Sequence, residues 1–310
     1  MGRRDTGVVT PHQQRAVWPA LPFVEWKDTL DTLHMFTQVV GKVRLALSPA
    51  EPEWGQVPLY PTARGLSTSV MPWNDMSLDL EFDLLAHELV LRNSRGRVTR
   101  IPLTGRSVAR FYREVMDALD VMGVKVAIWP VPVEIPNPIP FEEDERDTYD
   151  PSAVERFFDV LTRVARVLHE HRAEFRGRTS PVNFFWGTFD LANARYSGAP
   201  ATPPEGADVI IRGSYDVEQI VAGFWPGDER FPESAFFAYA YPKPDGVEHA
   251  SVEPPSAAWN EETGLFVVRY EDVRAADDPT YAIHTFLDST YTACATLRGW
   301  SPALVQRNFA

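Results

Sequence analysis

The sequence predicts an α+β fold in which antiparallel sheets are flanked by helices, arranged as two helix–strands–helix halves packed together. In four long segments apolar residues recur every three or four positions, which is typical of amphipathic helices. In shorter segments apolar and polar residues alternate, which is typical of half-buried strands. Because the strands are clustered between the helices instead of alternating with them, the pattern favours α+β over a doubly wound parallel sheet.

The chain is predicted to consist of a flexible arm over residues 1–20, a first half over 21–135, a linker over 136–150 and a second half over 151–310. The linker is predicted because residues 129–151 contain six prolines and an acidic run, which exclude a long helix or a central strand. One continuous domain, wrapped by this segment, is the alternative.

The first half begins with a predicted helix from Trp26 to Leu47. One side of this helix is apolar. The other side carries His34, Gln38 and Lys42, each one turn further on, among apolar neighbours. We therefore expect both sides of the helix to be covered and His34 to be semi-buried.

An antiparallel meander is predicted between about residues 57 and 103. Apolar and acidic residues alternate over 78–83, and two later segments are joined by a short loop whose Gly96 suits a hairpin turn. Ser107 is expected to cap the following helix. The segment 124–129 is predicted to be one more strand.

The second half is predicted to open with a helix over 151–175. The stretch Ser180–Gly198 then forms a strand that runs into a turn at Ala194–Pro200. Four further strands precede a last helix over about 279–298, and the first of these strands is predicted at 208–213.

The charge and the cysteine content restrict the function. The formal net charge is −13, from 43 acidic and 30 basic residues, which argues against a nucleic-acid partner because phosphate binding requires a basic footprint. Cys294 is the only cysteine, so no intrachain disulfide forms. The sequence has no signal peptide and no apolar run of membrane-spanning length. We therefore expect a cytoplasmic protein that binds neither nucleic acid nor membrane, of unknown oligomeric state.

The sequence carries no motif for nucleotide, metal or acyl chemistry. It has no glycine-rich phosphate loop and no Gly-x-Ser-x-Gly elbow. Its close histidine pair, His169 and His171, lies two residues apart on a predicted helix, where the side chains diverge. The sequence therefore predicts neither a metal nor a cofactor.

A set of aromatic and polar residues remains as the candidate site. Trp186, Trp225 and Tyr239 lie on or beside predicted strands, where they either line an aromatic pocket for a small molecule or pack in the core. Asp190 and Arg195 follow a predicted strand, where they either contact substrate or tie a turn together.

Tyr215 and Glu218 precede an aromatic segment. A carboxyl group beside aromatic side chains has a raised pKa and can serve as a general acid or base. An exposed loop is the alternative for this segment.

Four segments resemble an uncharacterised bacterial family, the domain-of-unknown-function family 5996. They read WKDTLDTLHMFTQVVGKVRLAL, PLYPTARGLSTS, WPVPVEIPNPIPFEED and SPVNFFWGTFDLANARYSG. With further matching motifs, the resemblance covers about residues 17–305. The family has no established activity. The resemblance therefore implies that this chain is related to the family, but it does not imply which reaction the chain catalyses.

The chain also departs from the family pattern. The resemblance implies histidines where this chain has Asn183, near Val217 and close to Gln56, whereas His34 is kept. Such a histidine set with a glutamate would resemble a metal or acid–base site. Valine binds no metal, and amides are poor ligands for zinc-like ions. We therefore interpret the chain as a diverged member that keeps the pocket and has lost its histidine-based chemistry.

The sequence favours a metal-independent enzyme of small-molecule metabolism, secondary metabolism included. It would act on an apolar substrate in an aromatic-lined pocket as a cyclase, isomerase or lyase. The alternative is a non-catalytic ligand-binding or partner-interaction protein that has lost an ancestral histidine-based site. A metalloenzyme acting through His34 and Glu218 is the least favoured.

The predicted catalytic residues are His34, Glu218 and Tyr215. The predicted substrate-binding residues are Gln38, Gln56, Asn183, Trp186, Asp190, Arg195, Trp225 and Tyr239.

Overall fold

The computed structural model describes residues 18–207 and 209–305. Most of the predicted N-terminal arm, residues 1–17, lies outside the described residues. The helices are α1 (Phe23–Leu47), α2 (Val108–Val121), α3 (Pro151–Ala173), α4 (Val209–Ser214), α5 (Tyr270–Arg274) and α6 (Pro279–Leu297). The strands are β1 (Tyr60–Pro61), β2 (Gly65–Ser67), β3 (Met71–Trp73), β4 (Met76–Asp83), β5 (Glu88–Asn93), β6 (Val98–Pro102), β7 (Asn183–Phe185), β8 (Asp190–Pro200), β9 (Val217–Trp225), β10 (Ala235–Tyr241), β11 (Ala258–Asn260) and β12 (Leu265–Arg269).

The described strands form two antiparallel sheets of six strands each, with helices packed against them, and this confirms the predicted α+β class. In the first sheet the order is β1-β2-β4-β5-β6, and β3 pairs with β4. In the second sheet the order is β11-β12-β10-β9-β8-β7.

Three predictions for the first half are confirmed: the strand at 78–83, the hairpin loop at Gly96 and the helix cap at Ser107. Strand β4 alternates buried and half-buried residues along its whole length. The loop between β5 and β6 places Gly96 at φ 83°, a backbone conformation that glycine adopts without strain. The Ser107 side chain caps α2 by accepting a hydrogen bond from the backbone N–H of Arg110.

The second sheet has two different faces. Its inner face packs against α3 and α6 in the main core and includes Phe184, Leu191, Phe224, Phe236 and Phe266. Side chains alternate between the two faces along each strand. The outer face therefore carries the intervening residues, and these form a separate apolar cluster of Ala192, Ala194, Tyr196, Val221 and Phe237.

The two sheets meet through the backbones of Leu59 and Phe184. Each of these residues donates its N–H to the other's carbonyl, at 2.9 and 2.8 Å. A single cluster of buried side chains extends through both halves, from Trp18 to Trp300. The β7 edge of the second sheet is thereby fixed against the chain that leads into the first.

Two predicted strands are wrong. Residues 124–129 form no strand. Val126 and Ile128 pack against the core while Trp129 is exposed, so the alternation reflects an extended chain lying on the core without a partner strand. In the segment predicted as a strand at 208–213, residues 209–213 belong to α4, and Gly213 lets the Trp54 indole pack closely against this helix.

The predicted turn at Ala194–Pro200 is also misplaced. Strand β8 continues through these residues, and the turn lies before it, at residues 186–189. Phe189 has φ 60°, and its N–H donates to the Phe185 carbonyl at 2.7 Å, which closes the turn.

The proline-rich segment predicted as a linker packs against the first half. Phe141 donates its N–H to the Pro130 carbonyl at 2.8 Å, and Val108 at the start of α2 donates to the Arg146 carbonyl at 2.9 Å. The backbone N–H of Asp150 donates to the Thr29 hydroxyl of α1 at 3.0 Å. Among the described helices, none is both long and apolar enough to cross a membrane.

Candidate functional site

The hairpin of β7 and β8 forms the centre of the candidate site. Its four-residue turn places Phe189 in the left-handed region, which is unfavourable for a bulky residue and requires support from the surroundings. The Phe189 ring provides this support by packing 5.0 Å from the Phe184 ring and 5.1 Å from the imidazole of His34, measured between centroids. The turn is therefore fixed from the side of α1.

His34 and Gln38 hold this turn through backbone contacts. The His34 Nε2 lies 3.0 Å from the carbonyl oxygens of both Trp186 and Gly187. Burial lowers the pKa of His34 to about 4, so the ring is neutral near pH 7 and its Nε2–H donates to these carbonyls. The Gln38 amide donates to the Val133 carbonyl at 2.8 Å and accepts from the Val133 N–H at 2.9 Å.

Trp186 is packed between α1 and the chain before β1. Its Nε1–H donates to the Val57 carbonyl at 2.8 Å. Its ring lies so close to Gly41 that a Cβ atom at this glycine would overlap the indole. The tight fit explains why α1 carries a glycine in its interior, where this residue is otherwise unfavourable.

The outer face of the second sheet combines a floor of small residues with surrounding aromatic side chains. Ala192 pairs with Gly223 across β8 and β9, and Gly223 pairs with Phe237 across β9 and β10. A Cβ at Gly223 would overlap the Leu191 carbonyl. The surrounding aromatic residues are Phe185, Tyr196, Trp225, Phe237 and Tyr239. This arrangement resembles the wall of a small-molecule site.

Asp190 is the acidic residue on this face. Its side chain lies on the same face as that of Ala192, two residues further along β8, and its backbone pairs with Phe185. Only 8% of the residue is exposed. The Thr188 hydroxyl donates to its carboxyl group, and no described cationic side chain forms an ion pair with it. Burial, opposed by the Thr188 hydrogen bond and reinforced by the charge of Glu134, raises the pKa of Asp190 to about 7.

Tyr239 and Tyr215 bring two hydroxyl groups to the same face. Their Oη atoms lie 3.3 Å apart, and the Tyr215 ring stacks on Tyr241 at 4.3 Å between centroids. Burial raises the pKa of Tyr239 well above its usual range, and Tyr215 and the charge of Asp190 raise it further. The Tyr239 phenol is therefore a hydrogen-bond donor at neutral pH.

A cavity of about 200 Å³ continues from Tyr239 around the end of β10. Tyr215, Lys243 and Trp259 are among its lining residues. The Lys243 Nζ lies 3.3 Å from a carboxylate oxygen of Glu248 and 5.0 Å from the centroid of the Trp259 ring. The cavity is thus lined by aromatic side chains and by Lys243, whose charge is paired with Glu248.

Asn183 lies on β7 beside Ala192. It is buried, and its Oδ1 accepts no hydrogen bond from any of the described residues. An unsatisfied buried carbonyl is unfavourable by about 1–3 kcal/mol. Asn183 therefore offers an unused acceptor at the β7 edge of the sheet.

The structure brings together two groups of the predicted site residues. His34, Gln38 and Trp186 meet at the turn of the β7–β8 hairpin. The residues on or against the outer face are Asn183, Asp190, Tyr215, Trp225 and Tyr239. The hairpin itself connects the two groups.

Glu218 lies apart from both groups. Its carboxyl group forms an ion pair with Arg298 and accepts hydrogen bonds from the Ser197 hydroxyl at 3.0 Å and the Trp300 Nε1–H at 3.1 Å. Burial alone would raise its pKa, but the hydrogen bonds from Arg298 and Ser197 outweigh this effect and hold the pKa below its usual range. Glu218 therefore joins β9 to the chain after α6.

Arg195 and Asp190 do not form the turn-tying pair considered from the sequence. They lie five residues apart on β8, an odd separation that places them on opposite faces. Arg195 donates to the His171 carbonyl, and its guanidinium lies 5.3 Å from the Phe175 ring and 4.6 Å from the Tyr291 ring. Burial lowers its pKa to about 10. Arg195 thus belongs to the inner face.

Gln56 is buried in the loop before β1. Its Oε1 accepts a hydrogen bond from the Glu51 backbone N–H at 2.9 Å. In the described part of the chain, no group of three or more His, Cys, Asp or Glu side chains is placed to hold a metal ion.

Sequence reasoning missed the small residues that form the floor of the outer face. Ala192, Ala194 and Gly223 have no chemistry of their own, but they are small, and at Gly223 the Phe237 ring packs so closely that a Cβ atom would lie 2.8 Å from it. The signal was the alternation of alanines in the segment LANARYSG, which is unusual for a strand because alanine has low β-propensity.

The model of a family of unknown function, DUF5996, matches residues 18–307. This match covers nearly the whole chain, and the protein therefore belongs to the DUF5996 family. Comparison with curated proteins found no match, and comparison with solved structures found none either.

Proposed function

We propose that this member of the DUF5996 family is an enzyme that binds an apolar small molecule on the outer face of its second sheet and exchanges a proton with it through Asp190. The observation that carries the proposal is the buried Asp190 carboxyl, whose pKa is raised to about 7 on a face surrounded by aromatic side chains. A carboxyl with this pKa is populated in both protonation states near neutral pH. It can therefore serve as a general acid or a general base.

Proton transfer is sufficient for the reaction classes that the sequence favours. An isomerase, a lyase or a cyclase acting on an apolar substrate needs an acid or base in a site that excludes water. Asp190 supplies this group, and the proposal requires neither a metal nor a cofactor. The protonated Tyr239 phenol supports the proposal as a donor to an oxygen on which negative charge develops.

The other predicted residues take supporting parts in this proposal. Trp225 provides an aromatic wall, and Asn183 offers a hydrogen-bond acceptor to the substrate. Tyr215 positions the Tyr239 hydroxyl. His34 and Gln38 position the turn from which Asp190 follows, because His34 donates to the Trp186 carbonyl and Gln38 donates to the Gly187 carbonyl from the α1 side.

Direct catalysis by His34 and Glu218 stays a prediction. The His34 Nε2 is engaged with two carbonyl oxygens, and Glu218 is engaged with Arg298, Ser197 and Trp300. These contacts favour structural roles for both residues. They also give some support to the second candidate function, a binding protein on the same face that performs no reaction.

Solvent-deuterium incorporation separates the two functions. The protein is incubated in D2O with a metabolite extract of the cells that produce it, and the extract is analysed by mass spectrometry. If the protein is an enzyme as proposed, we expect one metabolite in the extract to take up deuterium from the solvent when the wild-type protein is present. The Asp190→Asn variant, which retains the shape and the acceptor for Thr188, should lose this activity.

Asp117→Asn serves as the matched control, because Asp117 is exposed on α2. A metabolite that co-purifies with the wild type and with Asp190→Asn, without deuterium gain in either, would favour the binding protein. Equal deuterium gain with wild type and Asp190→Asn would contradict the role of Asp190.

A further inference from the structure

Lys42 is a buried lysine that the proposed function does not use. It lies on α1 one turn beyond Gln38, and only 6% of the residue is exposed. Its Nζ lies 5.9 Å from the centroid of the Trp186 ring. No other described residue forms a hydrogen bond or an ion pair with it. The amine is therefore placed against an aromatic ring, with no acidic partner among the residues that the structure describes.

The other lysines of the chain are different. The sequence contains four lysines in all. Lys27 pairs with Asp31 at 2.6 Å and with Glu229 at 3.1 Å. Lys125 has a side chain that is 83% exposed and lies 3.8 Å from Asp120. Lys243 pairs with Glu248. Lys42 alone combines burial with the lack of an acidic partner among the described residues.

Burial without a counter-charge favours the neutral form of an amine. Removing an ammonium group from water is costly unless an opposite charge compensates it. Burial accordingly lowers the pKa of Lys42 to about 8, and no charged side chain contributes to this shift. About a tenth of the amine is therefore unprotonated at pH 7, and a neutral amine is the nucleophilic form.

We infer that Lys42 is a nucleophilic amine that condenses with a small aldehyde or ketone beside Trp186. The amine nitrogen attacks the carbonyl carbon, and a proton moves from nitrogen to the carbonyl oxygen to give a carbinolamine. This intermediate loses water, which carries away the carbonyl oxygen, and leaves an imine between Lys42 and the former carbonyl carbon. No oxidant or reductant takes part.

The surroundings favour a carbonyl compound over other electrophiles. A protonated imine keeps a positive charge close to the position of the ammonium, where the face of the Trp186 ring attracts a cation. The small exposed fraction of Lys42 limits access to small molecules and reduces hydrolysis by bulk water. The inference rests on Lys42 and Trp186 and holds whether or not Asp190 transfers a proton.

Competitive reductive labelling tests this inference. The folded protein is treated briefly with propanal and cyanoborohydride at about pH 7.5, and modification of each lysine is quantified by peptide mass spectrometry. At this pH an amine with a pKa of about 8 has a neutral fraction about 200-fold larger than an ordinary lysine. We expect Lys42 to be modified at least about tenfold faster than Lys125 despite its burial.

Two variants and one denatured control complete the experiment. Lys42→Met keeps an apolar side chain of similar length and should remove the fast phase, whereas Lys125→Met should leave it unchanged. In concentrated urea the rates of the four lysines should become similar. If Lys42→Met fails to fold, the order of labelling in the wild type still decides. A labelling order that follows exposure, with Lys125 fastest and Lys42 slowest, overturns the inference.

Discussion

The indole of Trp186 lies directly against the backbone of Gly41, so the turn of the β7–β8 hairpin and helix α1 pack without an intervening side chain. Trp186 also donates to the Val57 carbonyl, which ties the same ring to the chain before β1. The candidate site is therefore built on a contact between residues about 145 positions apart in sequence.

Gly41→Ala should lower the free energy of unfolding by about 1–3 kcal/mol, because the added methyl group overlaps the indole in a packed interior. This is opposite to the usual effect of the substitution within a helix, where alanine is favoured by about 1 kcal/mol. Urea unfolding of the wild type and the variant measures the difference. In a Trp186→Leu background the substitution should become neutral or stabilising. Equal effects in both backgrounds would show that Gly41 and Trp186 are not coupled.

Asp190→Asn should stabilise the protein at alkaline pH. The pKa of Asp190 is about 7 in the folded protein, against an ordinary value of 3.8. Between these values the folded state binds more protons than the unfolded state, so the stability of the wild type falls as pH rises. The asparagine variant lacks this loss and should be more stable than the wild type above pH 7, by up to about 4 kcal/mol.

Urea unfolding from about pH 4 to pH 8 measures this effect. The difference between wild type and Asp190→Asn should shrink as the pH approaches the ordinary pKa of aspartate. A difference that stays constant across this range would show that Asp190 titrates normally in the folded protein.

The titration of His34 should change the stability with pH in the opposite direction to that of Asp190. Its pKa falls from 6.5 to about 4 on folding, so the unfolded state binds more protons between these values. The stability that depends on neutral His34 is complete above pH 6.5 and is lost as the pH falls toward 4, by about 3 kcal/mol in total. Nitrogen-15 NMR of the imidazole should show a neutral ring protonated at Nε2 at about pH 5.5. A titration midpoint near 6.5 would contradict the assigned environment.

The sequence predicted the elements that local patterns determine. The period of the apolar residues predicted α1, α3 and α6, and the alternation in 78–83 predicted β4. The same kind of alternation predicted a strand at 124–129, and that prediction is wrong. An alternating pattern indicates which side of an extended chain is buried, but it does not indicate whether a neighbouring strand supplies hydrogen bonds.

The candidate site was predicted less completely because it depends on contacts between distant segments. Asp190 and Arg195 were considered together as neighbours in sequence, yet strand geometry places them on opposite faces. Tyr215 and Tyr239 share a hydrogen bond because Tyr215 lies between α4 and β9, and β10 returns antiparallel beside β9. No local pattern in the sequence determines that approach.

Glu218→Gln should destabilise the protein without ending proton exchange. The substitution removes the charge that compensates Arg298, whose side chain is partly buried, and the expected loss of unfolding free energy is about 1–3 kcal/mol. Because Asp190 lies elsewhere on the second sheet, the folded variant should still incorporate deuterium into the metabolite identified with the wild type. Urea unfolding and the D2O assay are measured on the same preparation, with Glu262→Gln, an exposed position, as the control. Loss of deuterium incorporation in a Glu218→Gln variant of unchanged stability would instead assign the acid–base role to Glu218, because a carboxyl group that only ties β9 to Arg298 has no direct part in proton transfer.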